Sequence, residues 1–405
     1  MDQVNQVRIV ELKDQTEVEA ALRQIKVDAR GVPLMAPKGV FRQFWVRGLS
    51  VKAANLLKQQ MLAVGAEAAV SEGASRFRDS TTDVLLMGTV KQYHQAIGKL
   101  LLQPFGLKDL ARELRSALDN WDKAGRARQI RARDQVLTLG ERTLVMGILN
   151  VTPDSFSDGG LWLDPGRALE HAHQMVEDGA DIIDVGAEST RPGHVPVTSE
   201  VERERLAPVL KRLVQELPRP VSIDTYRSET AQWALDQGVH IINDIWGLKK
   251  DPRLAEVAAR AGAPIILMHN QDGTEYQDLM ADLLTSLRWS IETAKAAGVG
   301  EEQIVTDPGI GFGKTTDQNL EVLARLKELK VLGYPILLGT SRKSVIGNTL
   351  GLPVDQRLEG TAATVALGIA FGADIVRVHD VAAMVRVARM ADAIVRRRLQ
   401  AEAEA

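Results

Sequence analysis

N-V-T-P-D-S-F-S-D-G-G, residues 150–160, is the stretch on which the reading of the chain turns. It follows T-L-V-M-G-I-L, residues 143–149, an apolar run of strand length. Asn150 stands where that strand ends. The loop after it carries Pro, Asp, Ser and Gly around a single aromatic, Phe156. It is longer than the ~2–6 residues that usually join a strand to a helix. A polar loop at the carboxyl end of a strand is where α/β folds carry their chemistry. Taken alone, the loop also fits an ordinary connecting turn, so the rest of the chain decides.

From residue 143 onward, strand and helix alternate. Expected strands lie at 143–149, 181–186, 221–224, 241–244, 264–269, 304–307, 335–339 and 375–379. Helical patterns fill the gaps at 165–178, 199–217, 228–237, 252–261, 276–297, 318–329 and 357–371, and one over 381–398 closes the series. Eight βα units in about 260 residues predict an α/β fold, a (β/α)8 TIM barrel over 142–398. A doubly wound open sheet is the alternative, but no Gly-x-Gly-x-x-Gly turn follows a strand. Residues 399–405 read as a tail.

Residues 1–121 read as a smaller α/β domain, with strands at 7–12, 41–46, 67–70 and 83–87 and helices at 16–25 (Thr16 as cap), 50–64, 93–102 and 107–121. No cluster of ionisable groups marks it as catalytic, so it is expected to serve as scaffold or subunit contact. A barrel beginning near Gly140 is expected to stand without it. Residues 122–141, rich in Arg and Lys, read as a linker.

Composition excludes several classes. The chain has 405 residues, a net charge of −3 and no cysteine. Disulfides, thiolate metal sites and cysteine nucleophiles are ruled out, and no nucleic-acid footprint appears. No run approaches the ~18 apolar residues of a membrane span, and the amino-terminal segment has no apolar signal core. A cytoplasmic protein is expected.

The carboxyl ends of the expected strands share one property. They read Asn150; G-A-E-S-T-R-P-G (186–193); S-I-D-T (222–225); N-D-I (243–245); L-M-H-N (267–270); D-P-G-I-G-F-G-K (307–314); G-T-S-R-K-S (339–344); and R-V-H-D (377–380). Barrel strands are otherwise apolar, because a buried charge without a partner is unfavourable. Polar groups at every mouth therefore point to one site at the top of the barrel. Asp224, Asn243 and Asp307 suit a flat heterocycle with a guanidine-like edge, where a carboxylate accepts paired N–H bonds. Each also fits a structural bond or, for Asp307, a turn cap. Met268 and Phe312 fit as walls or as plain packing. Strands 7 and 8 usually hold an oxyanion in this fold, which draws attention to Lys343, Ser344, Arg377 and His379; His379 fits a structural histidine equally. Asp181 and Asp184 are read as structural.

Together these strings resemble dihydropteroate synthase over roughly residues 142–398. The resemblance implies a transferase that joins 6-hydroxymethyl-7,8-dihydropterin pyrophosphate to 4-aminobenzoate with Mg²⁺, a folate-biosynthesis step and sulfonamide target, and a homodimer is expected. By motif position it implies that Asp224, Asn243, Met268, Asp307, Phe312, Lys343 and Arg377 bind the pterin, with Asp224, Asp307, Lys343 and Arg377 as the catalytic set. Asn150, Arg377 and His379 would take the pyrophosphate, Asn150 the Mg²⁺, and Thr190, Arg191, Pro192 and Ser344 the 4-aminobenzoate. Asn270 departs from the apolar residue usual after the fifth strand's histidine, so the surroundings of Met268 are expected to differ. The rival readings are a pterin-dependent methyltransferase with a corrinoid partner and a pterin-binding protein without catalysis.

Overall fold

The structure, a computed structural model, describes residues 7–76, 78–124, 126–151, 165–188 and 197–396. It divides into two compact units, Met1–Asp122 with Arg398–Ala405, and Lys123–Arg397.

In the first unit, β1 (Phe41–Ser50), β2 (Glu67–Val70) and β3 (Thr81–Thr89) form an antiparallel sheet in the order β1-β3-β2. Leu57 and Met61 of helix Val51–Leu62, Tyr93 and Ile97 of helix Val90–Leu100, and Leu107 and Leu114 of helix Leu107–Lys123 share one core with Val84 and Leu86 of β3. The expected strand at 7–12 is absent: Val7 and Ile9 are 94% and 100% exposed and no strand pairs with them. The first helix is Gln15–Gln24, and Asp14 rather than Thr16 caps it, its Oδ1 accepting the Glu17 amide at 2.9 Å.

The second unit is a parallel barrel. Its strands are β6 (Leu144–Asn150), β7 (Ile182–Gly186), β8 (Val221–Asp224), β9 (Ile241–Asp244), β10 (Ile265–Met268), β11 (Ile304–Asp307), β12 (Leu337–Leu338) and β13 (Ile375–Val378). The ladder runs β11-β10-β9-β8-β7-β6-β13-β12, and a parallel bridge from Thr306 to Ile336 joins its two ends. Two-residue periodicity sorts the side chains. Val145, Ile183, Val185, Ile223, Ile242, Ile265 and Leu267 belong to the core shared with the surrounding helices. Leu144, Met146, Ile182, Ile241, Ile266, Val305, Leu337 and Ile375 form a separate apolar cluster. The next positions of that same parity are Asp184, Asn243, Met268, Asp307 and Arg377. Barrel strands thus carry an apolar layer beneath a polar one.

Residues 123–141 differ from the expected linker. Arg128–Ala132 (β4) and Gln135–Leu139 (β5) pair as an antiparallel hairpin, whose Ile130, Ala132, Leu137 and Leu139 join the cluster of Leu144, Met146 and Ile182. Arg128 donates to the Gly333 carbonyl at 3.0 Å and Arg133 to the Leu235 carbonyl at 2.9 Å. The hairpin therefore covers the apolar layer at the amino-terminal end of the strands. A chain shortened to begin at Lys123 is expected to fold, whereas one beginning at Gly140 uncovers that layer and loses at least about 3 kcal/mol. Denaturant unfolding compares the two; equal midpoints would contradict the hairpin's role.

Candidate active site

The polar layer is organised around Arg377 of β13. Its Nε donates to Asp184 Oδ2 at 2.6 Å and its Nη2 to Asp224 Oδ2 at 2.8 Å. Asn243 Nδ2 donates to the same Asp184 oxygen at 3.1 Å. Asp184 is fully buried, and its Oδ1 has no partner among the described residues. One cation thus serves two carboxylates. Burial pushes the Asp224 carboxyl up, Arg377 opposes the rise and Asp184 adds to it, leaving it at about 7. Burial also lifts Asp307, against the pull of Lys343.

Asp307 ends β11, and its Oδ1 accepts the Gly309 amide at 2.7 Å. Gly309 has φ +69°, and a Cβ there would lie 1.8 Å from the His269 carbonyl oxygen. No other residue fits this turn without moving β10. The loop then brings Phe312 beneath Lys343, whose Nζ lies 4.7 Å from the ring centroid and donates to the Ile310 carbonyl. Burial lowers the Lys343 ammonium to about 8, although Asp307 counters it.

Strands β6, β7 and β8 lie side by side. Asn150 is paired in register with Gly186, and a Cβ on Gly186 would stand 3.4 Å from the Asp224 side chain. That glycine lets Asn150 and Asp224 face one space. After β13, His379 Nδ1 lies 3.0 Å from Ser341 Oγ, which also accepts the His379 amide at 3.1 Å. Burial and the nearby Arg377 and Arg342 hold His379 down at about 4, so it is neutral at pH 7.

Asp224, Asn243, Met268, Asp307, Phe312, Lys343, Arg377, His379 and Asn150 all stand at strand ends or on the loops that follow. Met268 is buried beside the Gly309 turn, and Ser344 is an exposed first residue of helix Ser344–Leu350. Thr190, Arg191 and Pro192 lie outside the described residues, as does 152–160 of the first loop. Asn270 donates to the Ile245 carbonyl at 3.1 Å and accepts Lys249 Nζ at 2.5 Å; it ties the loop after β9 to β10. Asp184 was missed as a member of the site. Its parity with Ile182 was the available signal, whereas Asp181, of opposite parity, pairs with Arg142 at 2.6 Å and accepts the Val145 amide. Also missed was a charged group that Arg227, the residue before helix Ser228–Asp236, gathers. Arg227 donates to Glu188 Oε2 at 2.5 Å, to Glu202 Oε2 at 3.2 Å and to the Val197 carbonyl.

The chain is similar to known proteins. The model of the family described as pterin binding enzyme matches residues 146–379. A dihydropteroate synthase of Clostridium beijerinckii is 56% identical over 260 residues, 64% of this chain and 97% of that protein. A probable bifunctional folylpolyglutamate synthase/dihydropteroate synthase of Halobacterium salinarum is 39% identical over 380 residues, 92% of this chain but 45% of that protein. That match therefore extends into the first unit. A crystal structure of a dihydropteroate synthase from Clostridium difficile with pteroic acid is 57% identical, covering 64% of this chain and 99% of that one with a TM-score of 0.63.

The raised Asp224 carboxyl has a consequence for stability. With about 7 in the folded state against roughly 3.9 unfolded, the native state keeps a proton that the unfolded chain has released. Between about pH 4 and pH 7 its contribution to stability therefore falls as pH rises, by up to about 1.4 kcal/mol per unit. Asp224→Asn cannot titrate. The unfolding free energy of the variant relative to the parent is expected to improve from about pH 4.5 to pH 7.5. A difference that does not change with pH contradicts the assignment.

Proposed function

The chain belongs to the pterin-binding enzyme family, and we propose that its barrel mouth carries out the dihydropteroate synthase reaction. 6-Hydroxymethyl-7,8-dihydropterin pyrophosphate and 4-aminobenzoate give 7,8-dihydropteroate and pyrophosphate. One observation carries the assignment of residues. Among the described residues, Asp224 Oδ1, Asn243 Oδ1 and Asp307 Oδ2 accept no hydrogen bond, while the other polar atom of each side chain is held by Arg377, Asp184 and the Gly309 amide respectively. Each side chain is thus fixed by one atom and offers an acceptor with the other. Three acceptors match the N–H groups along the guanidine-like edge of a pterin. Phe312, held under Lys343, and Met268 provide apolar surface for the ring.

The pyrophosphate would lie toward Asn150, His379 and Arg377, whose Nη1 makes no bond among the described residues. These groups stabilise the charge that develops on the leaving oxygen. Mg²⁺ fits here as a partner of the substrate. Among the described residues no cluster of three His, Asp or Glu could hold a metal, but Mg²⁺ commonly takes few protein oxygens and completes its shell with phosphate oxygens and water. Asn150 would supply one oxygen, and the ion, when bound, adds positive charge against the pyrophosphate.

Breaking the methylene–oxygen bond leaves positive charge spread into the dihydropterin ring. Asp224 and Asp307 would stabilise it. The amine nitrogen of 4-aminobenzoate forms the new C–N bond, and its proton leaves to pyrophosphate or water. An arylamine is already nucleophilic, so the mouth needs no strong base. Thr190, Arg191, Pro192 and Ser344 are assigned to 4-aminobenzoate on motif position. The corrinoid methyltransferase reading gives no use to His379 and Arg377 as pyrophosphate ligands.

Asp307→Asn keeps the size but removes the charge and can turn a donor toward the pterin. Loss of a charge-assisted bond is expected to weaken pterin binding by about 1.5–3 kcal/mol and nearly to abolish pyrophosphate release in the presence of 4-aminobenzoate. Titration calorimetry and a coupled pyrophosphate assay measure both; unchanged pterin affinity contradicts the role of Asp307.

A further inference from the structure

One buried cation is not used by the reaction described above. Lys314, at the end of D-P-G-I-G-F-G-K, is only 9% exposed. Its Nζ contacts His269 Nδ1 at 3.0 Å, the Gly309 carbonyl at 3.0 Å and the Phe312 carbonyl at 3.1 Å. An ammonium has three N–H bonds, and all three find an acceptor here. Two of those acceptors are backbone carbonyls of the loop itself, and the third belongs to the residue that follows β10. No carboxylate is within ion-pair distance of this amine among the described residues. A lysine buried without a counter-ion is unfavourable unless its bonds accomplish something.

The bonds hold a particular shape. Gly309, Gly311 and Gly313 all have positive φ, so the loop turns repeatedly and cannot pair its carbonyls within a helix or a sheet. Gly311 N–H donates to Asn319 Oδ1 at 2.7 Å, and Tyr276 OH to the Gly313 carbonyl at 2.7 Å. These two ties hold the far side. The Phe312 amide donates to the Gly309 carbonyl at 3.1 Å, and Lys314 is the side chain that bonds both the Gly309 and the Phe312 carbonyls, which flank the turn that fixes Asp307 and the residue whose ring lies under Lys343. Burial pushes the Lys314 ammonium down to about 7, with Asp307 pulling the other way and Lys343 and Lys249 adding to the fall.

We propose that Lys314 is a positioning residue for the pterin pocket: by bonding both loop carbonyls to the end of β10, it holds the Phe312 ring and the Asp307 carboxylate in the arrangement that receives the pterin. The inference rests on the synthase reading, and it assigns Lys314 no contact with substrate.

Lys314→Met in the full chain preserves length and apolar packing but removes all three donors. The KM for 6-hydroxymethyl-7,8-dihydropterin pyrophosphate is expected to rise about tenfold, the loss of one charge-assisted bond's worth of binding, while the KM for 4-aminobenzoate stays within about twofold. A purely structural lysine would lower the melting temperature without that split between substrates. Lys314→Gln keeps two shorter donors and is expected to fall between the parent and Lys314→Met. A folded Lys314→Met protein whose two KM values both stay within about twofold, or rise together, overturns the proposal. If that variant does not fold, Lys314→Gln decides: a pterin KM within about twofold of the parent's overturns it. Pyrophosphate release by the parent protein tests the synthase reading separately, so failure of one is not mistaken for failure of the other.

Discussion

The guanidinium of Arg377, shared between Asp184 and Asp224, is the interaction on which the mouth of this barrel depends. It lets two carboxylates stand on neighbouring strands in a region almost closed to water. A buried ion group of this kind contributes little net stability, because desolvation offsets most of the attraction. Its effect is on geometry. Arg377 fixes one oxygen of Asp224, and Asp184 fixes both Arg377 and the Asn243 amide. The remaining acceptors of Asp224 and Asn243 are thereby aimed before any ligand arrives. Preorganised acceptors of this sort stabilise developing charge without having to reorient.

The layer below makes the arrangement sustainable. Leu144, Met146, Ile182 and their neighbours fill the lower barrel and meet the β4–β5 hairpin. Water is excluded from beneath, so the polar layer is wet from one side only. At the top, close approach is bought with glycine. Gly309 leaves room for the His269 carbonyl, and Gly186 leaves room beside Asp224. Each glycine sits where a side chain would separate two functional groups.

Much of this was legible in the chain itself. The eight strands were found within about two residues because a βα repeat leaves an apolar run between helical patterns. Asp224, Asn243, Asp307 and Arg377 stood out as polar residues ending apolar runs. Asp184 did not, since two aspartates bracket Ile182 and Ile183 and only the inward parity of one separates them. The hairpin was hidden by its composition. Arg126, Arg128, Arg131 and Arg133 mask the alternation of Ile130, Ala132, Leu137 and Leu139, and β-strand preference depends on a surface to pack against that no local pattern reveals. The contacts of Lys314 and Arg227 depend on which carbonyls a folded loop turns toward them. That information exists only in three dimensions. The strand expected at 7–12 failed for the converse reason: Val7, Ile9, Val10 and Leu12 have strand-forming side chains, but no sheet edge among the described residues takes them.

Replacing Arg377 by Lys tests the account most directly. Lysine keeps the charge but, as a single point donor, cannot bridge two carboxylates in a fixed plane. Calorimetric titration of the folded Arg377→Lys protein with a pterin is the measurement. Pterin affinity is expected to fall at least about tenfold, or roughly 1.4 kcal/mol, although the net charge of the site is unchanged. Affinity within about twofold of the parent would mean that charge alone holds Asp224 and Asn243 in place, and that the shared guanidinium does not organise the site.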